Sequence, residues 1–219
     1  MTQPRRIRVL VVDDHPMVQD GLQLFISLSA GLEHVGQAQS GEEALVKCEE
    51  LQPDVILMDL IMPGMGGIEA TRAIRNRYSS VQIIALTSFA EPDLVQQVLK
   101  AGAIGYVLKN VRAETLADAI RAAHDRRRVL APEATEALVQ AVQREDTGAE
   151  ELSARELAVL SLVADGLTNT EIAARLWIAE STARFHVSSI LSKLGAHNRA
   201  EAVRLAIEHK LITPPRAGG

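Results

Sequence analysis

The chain has one cysteine, Cys48, among its 219 residues. A single thiol excludes an intrachain disulfide framework. Cys48 sits within a helical pattern and reads as a small packing residue. Long apolar runs are missing too, since none reaches the roughly 18 residues of a membrane span. The first residues, Met1-Thr2-Gln3-Pro4-Arg5-Arg6, run straight into a strand pattern without the apolar core of a signal peptide. These absences lead us to expect a cytoplasmic protein with no membrane partner. Internal repeats and low-complexity stretches are also lacking. So is any excess of positive charge: the formal net charge is −5. Residues 1–148 hold 15 Lys+Arg against 20 Asp+Glu, and residues 149–219 hold 8 of each. A neutral C-terminal part predicts only modest non-specific affinity for nucleic acid per copy, which two copies would raise.

What is present is ordinary in bulk. Hydrophobic residues make up 47% and charged residues 23%, as in a globular protein of one large or two small domains. The information lies in short apolar runs and in the residue that follows each. Val9-Leu10-Val11-Val12 precedes Asp13 and Asp14, and Val55-Ile56-Leu57-Met58 precedes Asp59. Ile83-Ile84-Ala85-Leu86 precedes Thr87, and Tyr106-Val107-Leu108 precedes Lys109. Bare runs of this kind read as parallel strands buried on both faces.

Strand patterns fall near 7–12, 35–39, 55–58, 82–86 and 105–108. Helical patterns fall near 16–28, 42–51, 68–77, 92–101 and 113–124. The alternation predicts a doubly wound, five-stranded parallel sheet. In such sheets the ligand site lies beyond the carboxyl ends of the strands. Three carboxylates, a hydroxyl and an ammonium are therefore delivered to one sheet edge. Crowded carboxylates repel unless a cation sits among them, and hard oxygen ligands suit Mg²⁺. A lysine and a hydroxyl beside them suit a phosphoryl group. Singly, each aspartate is equally a turn or capping residue; the convergence is the signal. His15 adjoins the acidic pair, but oxygen chemistry dominates there, so it is read as a polar residue opening the first helix.

Beyond Arg126-Arg127-Arg128 and Pro132 the alternation stops. Residues 134–143 read as a helical linker and Glu145-Asp146-Thr147-Gly148 as a flexible boundary. The expected domains are 1–125, a linker at 126–148, and an all-helical domain at 149–219. In that last part Ser153 and Glu156 form a capping box. Thr168 or Asn169 caps the next helix, and Glu180 or Ser181 the third. Helix, short turn, helix at this spacing is a helix-turn-helix. In the third helix Ala183, Val187, Ile190, Leu191 and Leu194 share an inward stripe. The opposite face presents Ser181, Phe185, Ser188 and Ser192, flanked by Arg184 and Ser189. Short side chains with an arginine and an aromatic suit a major groove. Trp177 is expected to pack at the turn, and His186 on the helix interior or near a phosphate rather than on a metal.

Val9 to Asp14, the run Met58-Asp59-Leu60-Ile61-Met62-Pro63-Gly64-Met65-Gly66-Gly67, and Tyr106-Val107-Leu108-Lys109 resemble the receiver domain of bacterial response regulators. That resemblance implies a flavodoxin-like fold in which Asp59 takes a phosphoryl group from a histidine kinase. It assigns Mg²⁺ to Asp13, Asp14, Asp59 and the Ile61 backbone carbonyl, phosphoryl pairing to Lys109, and a switch pair to Thr87 and Tyr106. Gly66 departs from the family, which more often has an acidic or polar residue there. The helical block from Leu152 to Leu194 resembles the LuxR-type DNA-binding domain, a small four-helix unit. Together the two resemble the NarL/FixJ family of response regulators. DNA contacts are then expected from Ser181, Thr182, Arg184, Phe185, Ser188, Ser192 and Lys193. The segment Thr182-Ala183-Arg184-Phe185-His186 departs from the family's usual Thr-Val-Lys then His, so operator preference need not follow. The last helix, 199–210, carries Ala202, Leu205, Ala206 and His209 for either a dimer contact or ordinary packing.

The implied protein is a phosphorylation-controlled transcription factor. It would bind double-stranded DNA as a homodimer once phosphorylated, and would not be an enzyme. An aspartyl-phosphate hydrolase is disfavoured because Ile61 stands where such enzymes carry a second acid. A phosphorylation-independent DNA-binding regulator with a degenerate receiver is the other alternative.

Overall fold

The computed structural model describes residues 5–88, 92–132, 134–136, 139, 152–176, 178 and 180–212. The chain divides into two compact units, residues 1–143 and residues 144–219.

In the first unit the order is β1 (Ile7–Val12), α1 (Pro16–Leu28), β2 (Leu32–Ala38), α2 (Gly41–Leu51), β3 (Val55–Met58) and α3 (Gly67–Arg77). It continues with β4 (Gln82–Thr87), α4 (Pro92–Ala101), β5 (Gly105–Leu108), α5 (Ala113–His124) and β6 (Val129–Leu130). All strand pairs are parallel, in the order β2-β1-β3-β4-β5-β6. The sheet therefore has six strands where the sequence pattern predicted five. β6 is two residues long, too short to show any period. Arg126 (φ +58) ends α5 and turns the chain back. The Val129 N–H then donates to Ile104 O at 3.1 Å, and the Ala131 N–H to Tyr106 O at 3.0 Å. These bonds occupy the edge of β5 that would otherwise be open. Two residues of the expected linker, Val129 and Leu130, thus belong to the sheet. Residues 134–136 of the expected linker helix are helical; 137–138, 140–143 and the boundary at 145–148 lie outside the described residues.

The bare apolar runs alternate between two cores. Val9, Val11, Leu57, Ile84, Leu86 and Val107 pack with α1 and α5 residues such as Ile26, Leu116 and Ile120. Leu10, Val12, Ile56, Met58 and Ile83 pack on the other face with Ala44, Cys48, Ala70 and Ile74 of α2 and α3. Burial on both faces leaves almost no polar positions, Arg8 at the start of β1 being the exception, which is why β1, β3 and β5 were readable to the residue. β2 begins three residues earlier than its pattern suggested. It is an edge strand, and Glu33 and His34 there hide its start. Cys48 is fully buried, and burial pushes its thiol up to about 11, as expected of an inert packing residue.

The second unit comprises α6 (Ala154–Ala164), α7 (Asn169–Leu176), α8 (Glu180–Leu194) and α9 (Arg199–Glu208). Ser153 and Glu156 form the anticipated capping box. Thr168, rather than Asn169, caps α7: its Oγ1 accepts from the Glu171 N–H at 3.3 Å, and the Glu171 carboxylate accepts from the Thr168 N–H at 2.7 Å. α8 starts at Glu180. Val159, Leu160, Ile172, Ala183, Val187, Ile190 and Ala206 form the core, with Leu191 and Leu194 partly buried against it. Ala202 and Ala206 of α9 are buried, so that stripe packs within the unit, while His209 is exposed.

Candidate functional site

β1 and β3 are neighbours although β2 lies between them in sequence. The chain reverses direction of travel across the sheet here, and this is where open α/β sheets place their ligands. Each strand continues one bond past its end. The Asp13 N–H donates to Ala38 O at 3.0 Å, the Asp59 N–H to Val12 O at 2.8 Å, and the Lys109 N–H to Thr87 O at 2.8 Å. The ladder itself therefore fixes the Cα positions of Asp13, Asp59 and Lys109. The Lys109 Nζ lies 2.7 Å from both Asp13 Oδ2 and Asp59 Oδ2. Asp13 is 1% exposed and Asp59 5%.

Burial pushes the Asp59 carboxyl up from its ordinary value. The Lys109 ammonium opposes that, the Asp13 charge reinforces it, and the net direction is upward. Burial pulls Lys109 down, but the two carboxylates outweigh it and hold the ammonium above the usual lysine value. One cation serves two anions, so the cluster is short of positive charge. Asp13, Asp14, His15 and Asp59 each place a ligand atom within 4.8 Å of the others. Hard carboxylate oxygens at this density fit a divalent cation. The Ile61 N–H donates to Asp59 Oδ1 at 3.3 Å, which fixes the loop carrying the Ile61 carbonyl beside the acids. Thr87 is buried at the end of β4, and Tyr106 is fully buried, its ring already turned into the protein.

Two supports escaped the sequence reading. Gln19 is buried on the inner face of α1, and its Nε2 donates to Asp13 O at 2.8 Å and Ala38 O at 2.7 Å. A lone polar residue on an apolar helix face was the available signal. Glu42 accepts from the Met65 N–H at 2.9 Å, and the Gly41 N–H donates to Met65 O at 3.1 Å. The start of α2 thus holds the loop after Asp59. Gly64 in that loop has φ +74, a conformation that favours glycine. At Gly67 a Cβ would lie 1.9 Å from Asp59 O, so only glycine lets α3 start this close to the aspartate.

In the helical unit, Arg184, Ser188 and Ser192 of α8 are exposed and Phe185 is half-buried. Arg184 Nη2 lies 3.0 Å from Glu180 Oε1, an exposed pair of little energetic weight that DNA can displace. Thr182 and Lys193 do not join this face. Thr182 is 2% exposed. The Lys193 Nζ lies 2.8 Å from Oε2 of the buried Glu156, and the Ser189 hydroxyl donates to Glu156 Oε1 at 2.7 Å. The inward stripe is wider than apolar residues alone indicated, because Glu156 draws polar residues of α8 inward. His186 is buried, as expected. The Ser181 side chain and Trp177 lie outside the described residues.

Residues 9–121 match the family described as response regulator receiver domain. Residues 150–206 match bacterial regulatory proteins of the luxR family. The chain belongs to the LuxR-type response regulators. It is 42% identical over 209 residues to the transcriptional regulatory protein LiaR of Bacillus subtilis, spanning 94% of this chain and 99% of that one. Among solved structures it resembles the response regulator ChrA of a heme-sensing two-component system, with TM-score 0.54, 36% identity, and 94% and 99% of the two chains covered. It also resembles an RcsB–DNA complex, with TM-score 0.59, 26% identity, and 95% and 100% covered. A two-component transcription regulator built from a receiver and a LuxR-type output domain accounts for both units of this response regulator. No helix among the described residues is long and apolar enough to cross a membrane.

Proposed function

We propose that a histidine kinase phosphorylates this response regulator on Asp59, and that the modified receiver drives dimeric DNA binding by the output domain. The supporting observation is the Lys109 ammonium held 2.7 Å from both Asp59 and Asp13 at the β1/β3 crevice. A carboxylate is a competent acceptor of a phosphoryl group. An Asp59 carboxylate oxygen attacks phosphorus, the phosphorus–nitrogen bond to the donor imidazole breaks, and its electron pair stays on the departing nitrogen. Lys109 neutralises charge on the transferred oxygens. Asp13, Asp14, Asp59 and the Ile61 carbonyl would hold Mg²⁺. When bound, Mg²⁺ supplies charge neutralisation between nucleophile and phosphoryl oxygens. Thr87 then meets the phosphoryl group, and Tyr106 is retained inward, biasing a two-state surface at β5 and its neighbours. In the output domain, Arg184, Phe185, Ser188 and Ser192, with Ser181, face the major groove. Non-catalytic regulation is the reading we adopt, and a cytoplasmic setting accompanies it.

Intact-mass measurement after incubation with Mg²⁺ and a small acyl-phosphate donor tests the acceptor. One phosphoryl adduct is expected on the native chain and none on Asp59→Asn. An undiminished adduct on the variant overturns the assignment.

A further inference from the structure

His15 stands as the N-terminal cap position of α1, yet its side chain caps nothing. It points at the acidic pair instead. Its Nδ1 lies 2.8 Å from Asp14 Oδ1 and 3.3 Å from Asp13 Oδ1. The Asp14 Oδ1 atom is enclosed and takes no hydrogen bond, even from this close neighbour. A protonated ring would pair with both carboxylates; with the ring neutral and Nδ1 unprotonated, two lone pairs held this near repel unless a cation lies against both. Around an octahedral ion with ligands at about 2.1 Å, adjacent ligands are about 3.0 Å apart and opposite ones about 4.2 Å apart. The His15 contacts bracket the adjacent spacing. The four-residue cluster lies within 4.8 Å, about 0.6 Å more than the opposite spacing, so its groups draw together slightly around an ion. The Asp13 carboxylate is itself oriented by the His15 N–H at 2.9 Å, so backbone and ring of one residue both address the site.

We infer that His15 is a nitrogen ligand of the acidic site, making it a carboxylate–imidazole centre for a borderline divalent transition ion and not only an oxygen site for Mg²⁺. This rests on the metal-binding reading of Asp13, Asp14 and Asp59 above. An imidazole adds little toward a hard ion that prefers oxygen and water. It adds strongly toward ions such as Ni²⁺, Zn²⁺ or Fe²⁺. His15 is half-exposed, with a side-chain exposure of 54%. Its ring therefore lies at the mouth of the crevice, where an arriving ion meets it first.

The test uses the full chain with Ni²⁺ and Mg²⁺ as separate probes, in calorimetric titrations of the native protein, His15→Ala and Asp14→Asn. His15→Ala is expected to weaken Ni²⁺ by at least about tenfold and to change Mg²⁺ by less than about twofold. Asp14→Asn is expected to weaken both, which separates this site from the other histidines on the surface. A hyperfine-shifted imidazole proton in the NMR spectrum of the Ni²⁺-loaded protein is expected, and its loss in His15→Ala. If the native chain binds Mg²⁺ but His15→Ala leaves Ni²⁺ affinity unchanged, or weakens both ions equally, the inference is overturned and the oxygen site stands. If the native chain binds neither ion, both readings fall.

Discussion

Two buried carboxylate–lysine pairs, one in each unit, look alike and behave oppositely. Asp59 meets Lys109 at 2.7 Å, and Glu156 meets Lys193 at 2.8 Å. Asp59 is held above its ordinary value and Glu156 below. Burial pushes both up. At Glu156 that push is overcome by hydrogen bonds from the Lys193 ammonium, the Ser189 hydroxyl and the Ser153 N–H. Asp59 shares its lysine with Asp13 and has one long backbone bond, from the Ile61 N–H at 3.3 Å. A buried ion pair is settled by the number of donors around it, not by the pair distance. The settled pair is an anchor that ties the start of α6 to α8. The unsettled one lies in the crevice, where unmet charge is a reason to bind a cation and a phosphoryl group.

The largest effect should come from breaking the settled pair. Glu156→Ala takes the carboxylate partner from the half-buried Lys193 ammonium and opens the capping box, and removing one partner of a buried pair costs about 3–5 kcal/mol. Urea unfolding followed by the single tryptophan, at position 177 in the second unit, measures it. A loss below about 1 kcal/mol would mean that Glu156 is not an anchor.

A smaller effect sharpens what the anchor is for. With Ser189 and Lys193 drawn toward Glu156, α8 is rotated so that Arg184, Ser188 and Ser192 point outward. A bidentate arginine contact to a base is worth about 1–3 kcal/mol, so Arg184→Ala should weaken a specific site by roughly 5- to 150-fold. Non-specific affinity, which sums phosphate contacts, should fall much less. Titration against the operator and a scrambled duplex at one salt concentration decides it. Equal proportional losses make Arg184 a phosphate anchor.

The same contrast explains what was legible in the residues. The strands buried on both faces wrote themselves as unbroken apolar runs, and three of the residues ending them, Asp13, Asp59 and Lys109, meet side chain to side chain. β6 was illegible because two residues carry no period. On α8, Ser189, which the pattern placed beside the outward face, and Lys193 turn toward Glu156, and Thr182 is buried; polar partners on another helix leave no trace in local pattern. Gln19 and Glu42 were missed for a related reason. Each acts through a backbone group distant in sequence, Gln19 on Ala38 O and Glu42 on the Met65 N–H. Apolar periodicity reports which way a side chain faces and not what it holds.

The smallest effect tests the unsettled pair directly, and its sign is the point. A carboxyl held above its ordinary value binds its proton more readily in the folded state. Its ionisation penalty on folding therefore appears as pH rises from about 4 through the folded value, and stays in full above it. Asp59→Asn removes that penalty, while Lys109 keeps Asp13 as a partner. The variant should be more stable at pH 7 without Mg²⁺ by about 0.5–2 kcal/mol, the usual return for relaxing a site built for function. That corresponds to about 2–4 °C in melting temperature per kcal/mol for a unit of this size. The gain should shrink toward pH 4, where native Asp59 also becomes protonated. Glu156 runs the other way: its contribution is intact above about 4 and is lost as pH falls through its lowered folded value. Thermal melts of both proteins at neutral and acid pH, with chelator present, give both signs. A variant less stable than the native chain at pH 7, or a gain that does not shrink in acid, would place Asp59 among the settled carboxylates and erase the contrast with Glu156.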